Sequence, residues 1–186
     1  MSPLITTRLA LLPIDLPTYD ALFAGSDKLS QHLGIRVPEI LSEFGMDGFE
    51  YTYTKLAADQ SEGPWWLYLF IHRADQALIG VGGYKGKPDE AGMVEIGYEI
   101  YPHYRGQGLA TETAQGLIDW AFDQPAVTIV QAHTLAEMSP SVRVLEKCGM
   151  TFNDAFDDPN DGAVWQWQLK RSYRDRASMA LRAHRK

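Results

Sequence analysis

The amino-acid sequence predicts an α+β fold, a mixed but mainly antiparallel central sheet with helices on both sides. Three features carry that reading. Short apolar runs follow one another between Trp65 and Tyr101, the period then changes to a helical one after Pro102, and two final runs flank the turn-rich segment Asp157 to Gly162. With 186 residues, 45% hydrophobic and 11% aromatic, the chain has material for one packed domain. Residues 1–170 are expected to form it, and residues 171–186 to make a basic C-terminal tail.

The elements follow in order. Thr7 to Ile14 has the texture of an opening strand, and Pro17 stands near the start of a helix running to about Gly25. Between Glu39 and Gln60 the spacing of Ile40, Phe44, Phe49, Tyr53 and Leu56 predicts one or two helices, weakened in the middle by Gly45 and Gly48. Trp65 to Arg73, Leu78 to Tyr84 and Met93 to Tyr101 are strands joined by short polar segments, hence an antiparallel meander. Leu109, Ala110, Ala114, Leu117, Ile118, Ala121 and Phe122 then mark one face of a helix, which Pro125 ends. A strand over Val127 to Thr134 makes a strand–helix–strand unit, Ser139 to Cys148 is a short helix closed by Gly149, and Met150 to Phe156 with Ala163 to Leu169 form a closing hairpin.

Charge and cysteine content narrow the function classes. The net charge is −7, but residues 170–186 hold seven Lys and Arg against Asp175 alone. The remaining ten basic and twenty-three acidic residues give the body −13, which suits a cationic substrate and disfavours nucleic acid. The longest apolar run, Trp65 to Ile71, has seven residues, well short of the roughly 20 needed to span a bilayer, so no membrane association is expected. Arg8 interrupts the first thirteen residues, which lack the pattern of a secretory leader. Cys148 is the only cysteine and the five histidines have no ligand spacing, so neither disulfide nor metal is expected, and the compartment is expected to be cytoplasmic.

Chemistry concentrates at Arg105-Gly106-Gln107-Gly108-Leu109-Ala110, between a strand and an amphipathic helix. Unpaired N–H groups and the helix dipole favour an anion at such a junction, and two glycines allow close approach. A Walker loop is absent, and the dinucleotide pattern fails where Thr111 replaces its third glycine. A plain helix cap is the other reading.

Arg105-x-x-Gly108-x-Ala110 resembles the Gln/Arg-x-x-Gly-x-Gly/Ala element with which GNAT-fold N-acetyltransferases hold the pyrophosphate of acetyl-CoA. Glu95 to Ile100 before it, Ala110-Thr111-Glu112 after it and Ser141 to Met150 further on are similar to the RimJ/RimL-type branch. The resemblance implies a GNAT-like fold and acetyl transfer, through a ternary complex, from acetyl-CoA as cosubstrate to a primary amine, either a protein N-terminus or a small molecule. The alternative is a non-catalytic acyl-CoA-binding or interaction module; a homodimer is left open. For the cosubstrate it implies Arg105, Gly106, Gln107, Gly108, Leu109, Ala110 and Thr111 at the pyrophosphate, with main-chain groups of Tyr98, Ile100 and Tyr101 along the pantetheine arm.

Acetyl transfer needs an amine without its extra proton, a stabilised oxyanion and a proton for the departing thiolate. Glu95 is the candidate base, with burial expected to raise its pKa, unless it faces solvent or pairs with a base on the next strand; Glu99 shares its face by period two and competes, as does water. The family's usual acid, a tyrosine, has Leu145 in its place, so Ser141 is the candidate acid unless its hydroxyl bonds its own helix. Met138 departs from an asparagine common in the family. Cys148 reads as a packed thiol, and Trp65 to Tyr68 as a wall of the acceptor site or as core.

Overall fold

A computed structural model describes residues 2–159 and 161–174. After β1 (Leu4–Ile5) and β2 (Leu9–Pro13), Asp15 caps α1 (Leu16–Phe23) by accepting from the Thr18 N–H at 3.0 Å. Gly25, at φ +105°, breaks the helix and starts α2 (Ser26–Leu33), which the sequence reading missed because its turns carry only Leu29 and Leu33 as apolar residues. The helix expected from Glu39 onwards begins later, as α3 (Asp47–Ala58). Residues 39–46 form a loop, because Ser42 and Glu43 bond to a distant strand rather than to their own backbone. A 3-10 turn over Gln60–Trp65 follows, so the next strand starts at Leu67.

The meander is β3 (Leu67–His72), β4 (Ala77–Tyr84) and β5 (Met93–Ile100). Then come α4 (Leu109–Asp123), β6 (Ile129–Leu135), α5 (Pro140–Lys147), β7 (Thr151–Asp158) and β8 (Gly162–Lys170). The sheet order is β1-β2-β3-β4-β5-β6-β8-β7. Neighbours are antiparallel except β5 and β6, which α4 joins by a crossover and which are therefore parallel. The closing hairpin inserts β8 inside and leaves β7 as an exposed outer strand, with Asn160 of its turn outside the described residues.

Two cores lie on opposite faces. Val94, Ile96 and Ile100 of β5 pack with Leu109, Ala114, Leu117, Ile118, Ala121 and Phe122, the helical face read in the sequence. Burying each large apolar side chain there contributes roughly 1.5–3 kcal/mol. Tyr84, deep in that core, donates its hydroxyl to the Leu117 carbonyl at 2.5 Å. On the other face Leu69, Leu78, Val81 and Tyr101 pack against α1 and α3. At the end of α5 the Gly149 N–H donates to the Glu146 carbonyl and that of Met150 to Leu145, with Gly149 at φ +79°. Of the basic segment, Arg171 donates to the carbonyls of Phe122, Gln124 and Val127 at the end of α4, and Arg174 pairs with Asp119; the segment from Asp175 lies outside the described residues.

One departure from regularity positions the site. β5 pairs with β6 only from Met93 to Glu95, opposite Ile129 to Gln131. Beyond that, β5 continues along β4 as far as Ile100 and β6 continues along β8 as far as Leu135, so the sheet splits between them.

Candidate functional site

Gly106 and Gly108 both sit in left-handed conformation, at φ +75° and +77°, which only glycine adopts cheaply. The turn they make delivers the chain to α4 with the N–H groups of residues 106–111 free of any acceptor among the described residues. The first intrahelical bond is that from Glu112 to the Gly108 carbonyl. A helix of fifteen residues therefore begins with a row of exposed donors at its positive end.

Residues far away in the chain hold this turn. Glu112, in the first turns of α4, accepts from the Thr6 hydroxyl at 2.6 Å, the Arg8 N–H at 2.6 Å and Arg8 Nε at 2.7 Å. A second Arg8 nitrogen donates to the Gln107 carbonyl at 2.9 Å. Burial pushes the Glu112 carboxyl up, but these donors outweigh it and hold it below the ordinary 4.5.

A cleft of about 530 Å³ opens beside the turn, lined by Tyr98 and Ile100 of β5, Ala110 and Thr111 of α4, and Ser141 and Val144 of α5. It runs on to Glu43, Phe44 and Glu99 beside the end of β5, next to the place where β5 and β6 part. The N–H of Tyr101 bonds to the Ile79 carbonyl and that of Lys85 to the Glu95 carbonyl. Odd-numbered residues of β5 thus turn their polar groups toward β4, and the N–H groups of Tyr98 and Ile100 face the gap. Tyr101, expected beside them, spends its N–H on β4 and its hydroxyl on the Leu41 carbonyl. The Ile100 carbonyl accepts from Arg105 Nε at 2.6 Å, while another nitrogen of that guanidinium lies 2.6 Å from the Glu43 carboxylate. Leu109 points into the core and Gln107 reaches back to the His103 carbonyl, so both serve the turn through their backbone.

Of the catalytic candidates, Ser141 is exposed in the cleft, and its hydroxyl makes no bond to its own helix. Leu145 is buried and Met138 is exposed away from the cleft lining. Tyr98 lines the cleft with a buried hydroxyl that has no partner, and burial pushes its phenol well above the usual range. Cys148 is buried, its thiol pushed up to about 11 by burial, which suits the packed thiol read in the sequence. Trp65 packs edge-on against Tyr84 and Trp120, and Trp66 against Tyr51; neither lines the cleft, where Glu43 and Phe44 stand instead.

The two carboxylates of β5 occupy one face but different surroundings. Glu99 lines the cleft and accepts from the Ser42 hydroxyl at 2.7 Å and the Glu43 N–H at 2.8 Å. Glu95 is ion-paired with Lys85 and hydrogen-bonded to His133 Nδ1, the latter at 3.0 Å. The expected rise in its pKa does not occur: burial pushes the carboxyl up, but bonds from Lys85 and His133 outweigh that and hold it below the ordinary range. Pairing with a base from a neighbouring strand, the other reading of Glu95, is what the structure shows, with Lys85 and His133 as the partners. Among the described residues no cluster of metal-binding side chains occurs.

Comparisons with known proteins agree with this architecture. Residues 8–151 match the family model described as the acetyltransferase (GNAT) domain. The uncharacterized N-acetyltransferase YjdG of Bacillus subtilis is 28% identical over 149 residues, 80% of this chain and 89% of that protein. Among solved structures, the ribosomal-protein-S5-alanine acetyltransferase from Vibrio fischeri superposes with a TM-score of 0.67 at 14% identity, covering 91% of this chain and 97% of that one. RimL, a ribosomal L7/L12 alpha-N-protein acetyltransferase in complex with coenzyme A, does so with a TM-score of 0.66 at 15% identity, over 89% and 96%.

Proposed function

The chain belongs to the GNAT acetyltransferase family, and on that premise we propose that it moves an acetyl group from acetyl-CoA to a primary amine by direct transfer in a ternary complex. One observation carries the reading: the row of unpaired N–H groups at 106–111 opens into a cleft that runs along the end of β5, where the sheet splits. The N–H row and the helix dipole hold the diphosphate, with Arg105 beside them. The N–H group of Ile100 takes a carbonyl of the pantetheine arm, which lies in the gap as an added strand does. Relatives solved with coenzyme A or acetyl-CoA support this use of the cleft.

The thioester then reaches the point where β5 and β6 part. An N–H group aimed there from Tyr98 meets the developing oxyanion, and the free Ser141 hydroxyl gives a proton to the departing thiolate. The acceptor enters from the face that carries Glu95 and Glu99. Likeness to ribosomal-protein acetyltransferases supports the RimJ/RimL-type branch and a protein N-terminus as acceptor, and the acidic body fits any cationic amine. A lone buried thiol is consistent with work in the reducing cytoplasm.

The experiment is release of CoA thiol from acetyl-CoA against N-terminal peptides, polyamines, amino acids and aminoglycosides, alongside calorimetric titration with CoA. Amine-dependent thiol release together with CoA binding is the expected result. No CoA binding, or no release with any amine, would overturn the reading.

A further inference from the structure

Glu95 and His133 meet where the sheet begins to split. The last bridge between β5 and β6 is Glu95 opposite Gln131, so two residues further on Gly97 and His133 face each other across the opening. Gly97 leaves that place empty, since a Cβ there would meet nothing within 4 Å. Among the described residues the helices of this face pack on the β2–β4 half, so the β6–β8 half of the face carries none. The opening lies on a helix-free surface, one residue along β5 from Tyr98, which lines the cleft.

The imidazole is oriented from several sides. Its Nδ1 lies 3.0 Å from Glu95 Oε1, a carboxylate that Lys85 also keeps ionised. An ionised carboxylate accepts and cannot donate, so Nδ1 carries the hydrogen and Nε2 presents its lone pair. Phe156 of β7 packs edge-on against the ring at 5.3 Å. Gln166 Nε2 of β8 donates to Nε2 over 3.5 Å, a long hydrogen bond that an incoming ammonium would replace. Asp154 of β7 shares this face through its register with Gln166, and it completes the charged groups around the ring with Glu95 and Lys85.

We propose that His133, oriented by Glu95, takes the proton from the acceptor ammonium in the opening beside Gly97, which makes His133 a catalytic residue and Glu95 a positioning residue. The proposal rests on the acetyl-transfer reading above. The ammonium gives one proton to Nε2, leaving a neutral amine and an imidazolium. The amine lone pair then forms the C–N bond as the thioester carbonyl becomes an oxyanion. Collapse of the oxyanion breaks the C–S bond; the nitrogen loses its second proton, and the thiolate gains one to leave as CoA thiol. His133 returns its proton to solvent. Of the pair, Glu95 is the weaker base, because Lys85 and His133 hold its carboxyl below the ordinary range.

Two measurements on the full chain test this. Nitrogen-15 NMR of the imidazoles, with His133→Asn to assign the signal, should show neutral His133 hydrogenated at Nδ1. Hydrogen on Nε2 would overturn the proposal, and this readout needs no acceptor. With spermidine and with an alanine-led tetrapeptide as acceptors, His133→Gln should lower kcat at neutral pH about a hundredfold and leave the KM for acetyl-CoA unchanged. Its deficit should shrink in alkali, where the amine is already neutral. Glu95→Gln should lose less and move the pH profile in the same direction. A deficit equal at every pH, or none, would overturn His133 as the proton acceptor. Lack of turnover by the unsubstituted protein would instead strike the acetyl-transfer reading, and the tautomer would still decide the dyad.

Discussion

Arg105 and Glu43 meet across the mouth of the cleft at 2.6 Å, each side chain about half exposed. The contact fastens the 39–46 loop to the end of β5, because the same guanidinium holds the Ile100 carbonyl. It also means that the charge nearest the glycine turn already has an anionic partner.

A diphosphate arriving at α4 therefore competes with Glu43 for Arg105. Glu43→Gln should tighten CoA binding severalfold at low ionic strength, and the gain should fade with salt, as expected of an exposed pair. Calorimetric titration at two salt concentrations measures it. Unchanged affinity at low salt would mean that Arg105 does not reach the phosphates.

Gly108 offers a sharper test of the turn. Its φ of +77° costs an L residue roughly 1–2 kcal/mol, whereas a Cβ there would meet only an Arg8 nitrogen at 3.6 Å. Gly108→Val should thus lower the melting temperature only modestly while abolishing measurable CoA binding, because the bulk covers the N–H row. Retained CoA affinity would remove the anion site from this turn.

What the sequence disclosed and what it hid divide along a physical line. The meander, α4 and α5 were legible because alternation and helical spacing are local, and the glycines at 106 and 108 announced a turn before a helix. The 39–46 loop was misread as helix because its conformation is decided by Glu99, more than fifty residues away, which takes the Ser42 hydroxyl and the Glu43 N–H. The surroundings of Glu95 were hidden for the same reason: His133 reaches it from the neighbouring strand, 38 residues on. Insertion of β8 between β6 and β7 is a choice of strand order that no local pattern expresses.

The brace on α4 predicts a pH dependence. Glu112 is held below its ordinary pKa by Thr6 and Arg8 against the opposing effect of burial, so its contribution to stability is complete above about pH 5 and is lost as pH falls through the lowered folded value. Glu112→Gln should cost about 1 kcal/mol at pH 7. The difference in stability between the two proteins should narrow in acid and close once pH lies below that lowered value, where neither carries the charge. A difference independent of pH would show that the hydrogen bonds matter and the ionisation does not.

Tyr98 and Ser141 each present to the cleft a hydroxyl without a partner among the described residues, one buried and one exposed. Removing an unpaired buried hydroxyl loses no bond, so Tyr98→Phe should leave the melting temperature unchanged or slightly raised. If that hydroxyl meets the pantetheine arm, the same substitution weakens CoA binding. Ser141→Ala should behave in the opposite way, with CoA affinity nearly constant and kcat reduced roughly ten- to a hundredfold, since its proton is needed only as charge develops on sulfur. A CoA thiol is already a fair leaving group, which keeps the loss at the lower end of general acid catalysis. Titration and turnover of both variants separate binding from chemistry. Full turnover by Ser141→Ala would pass the acid role to Tyr98 or to water.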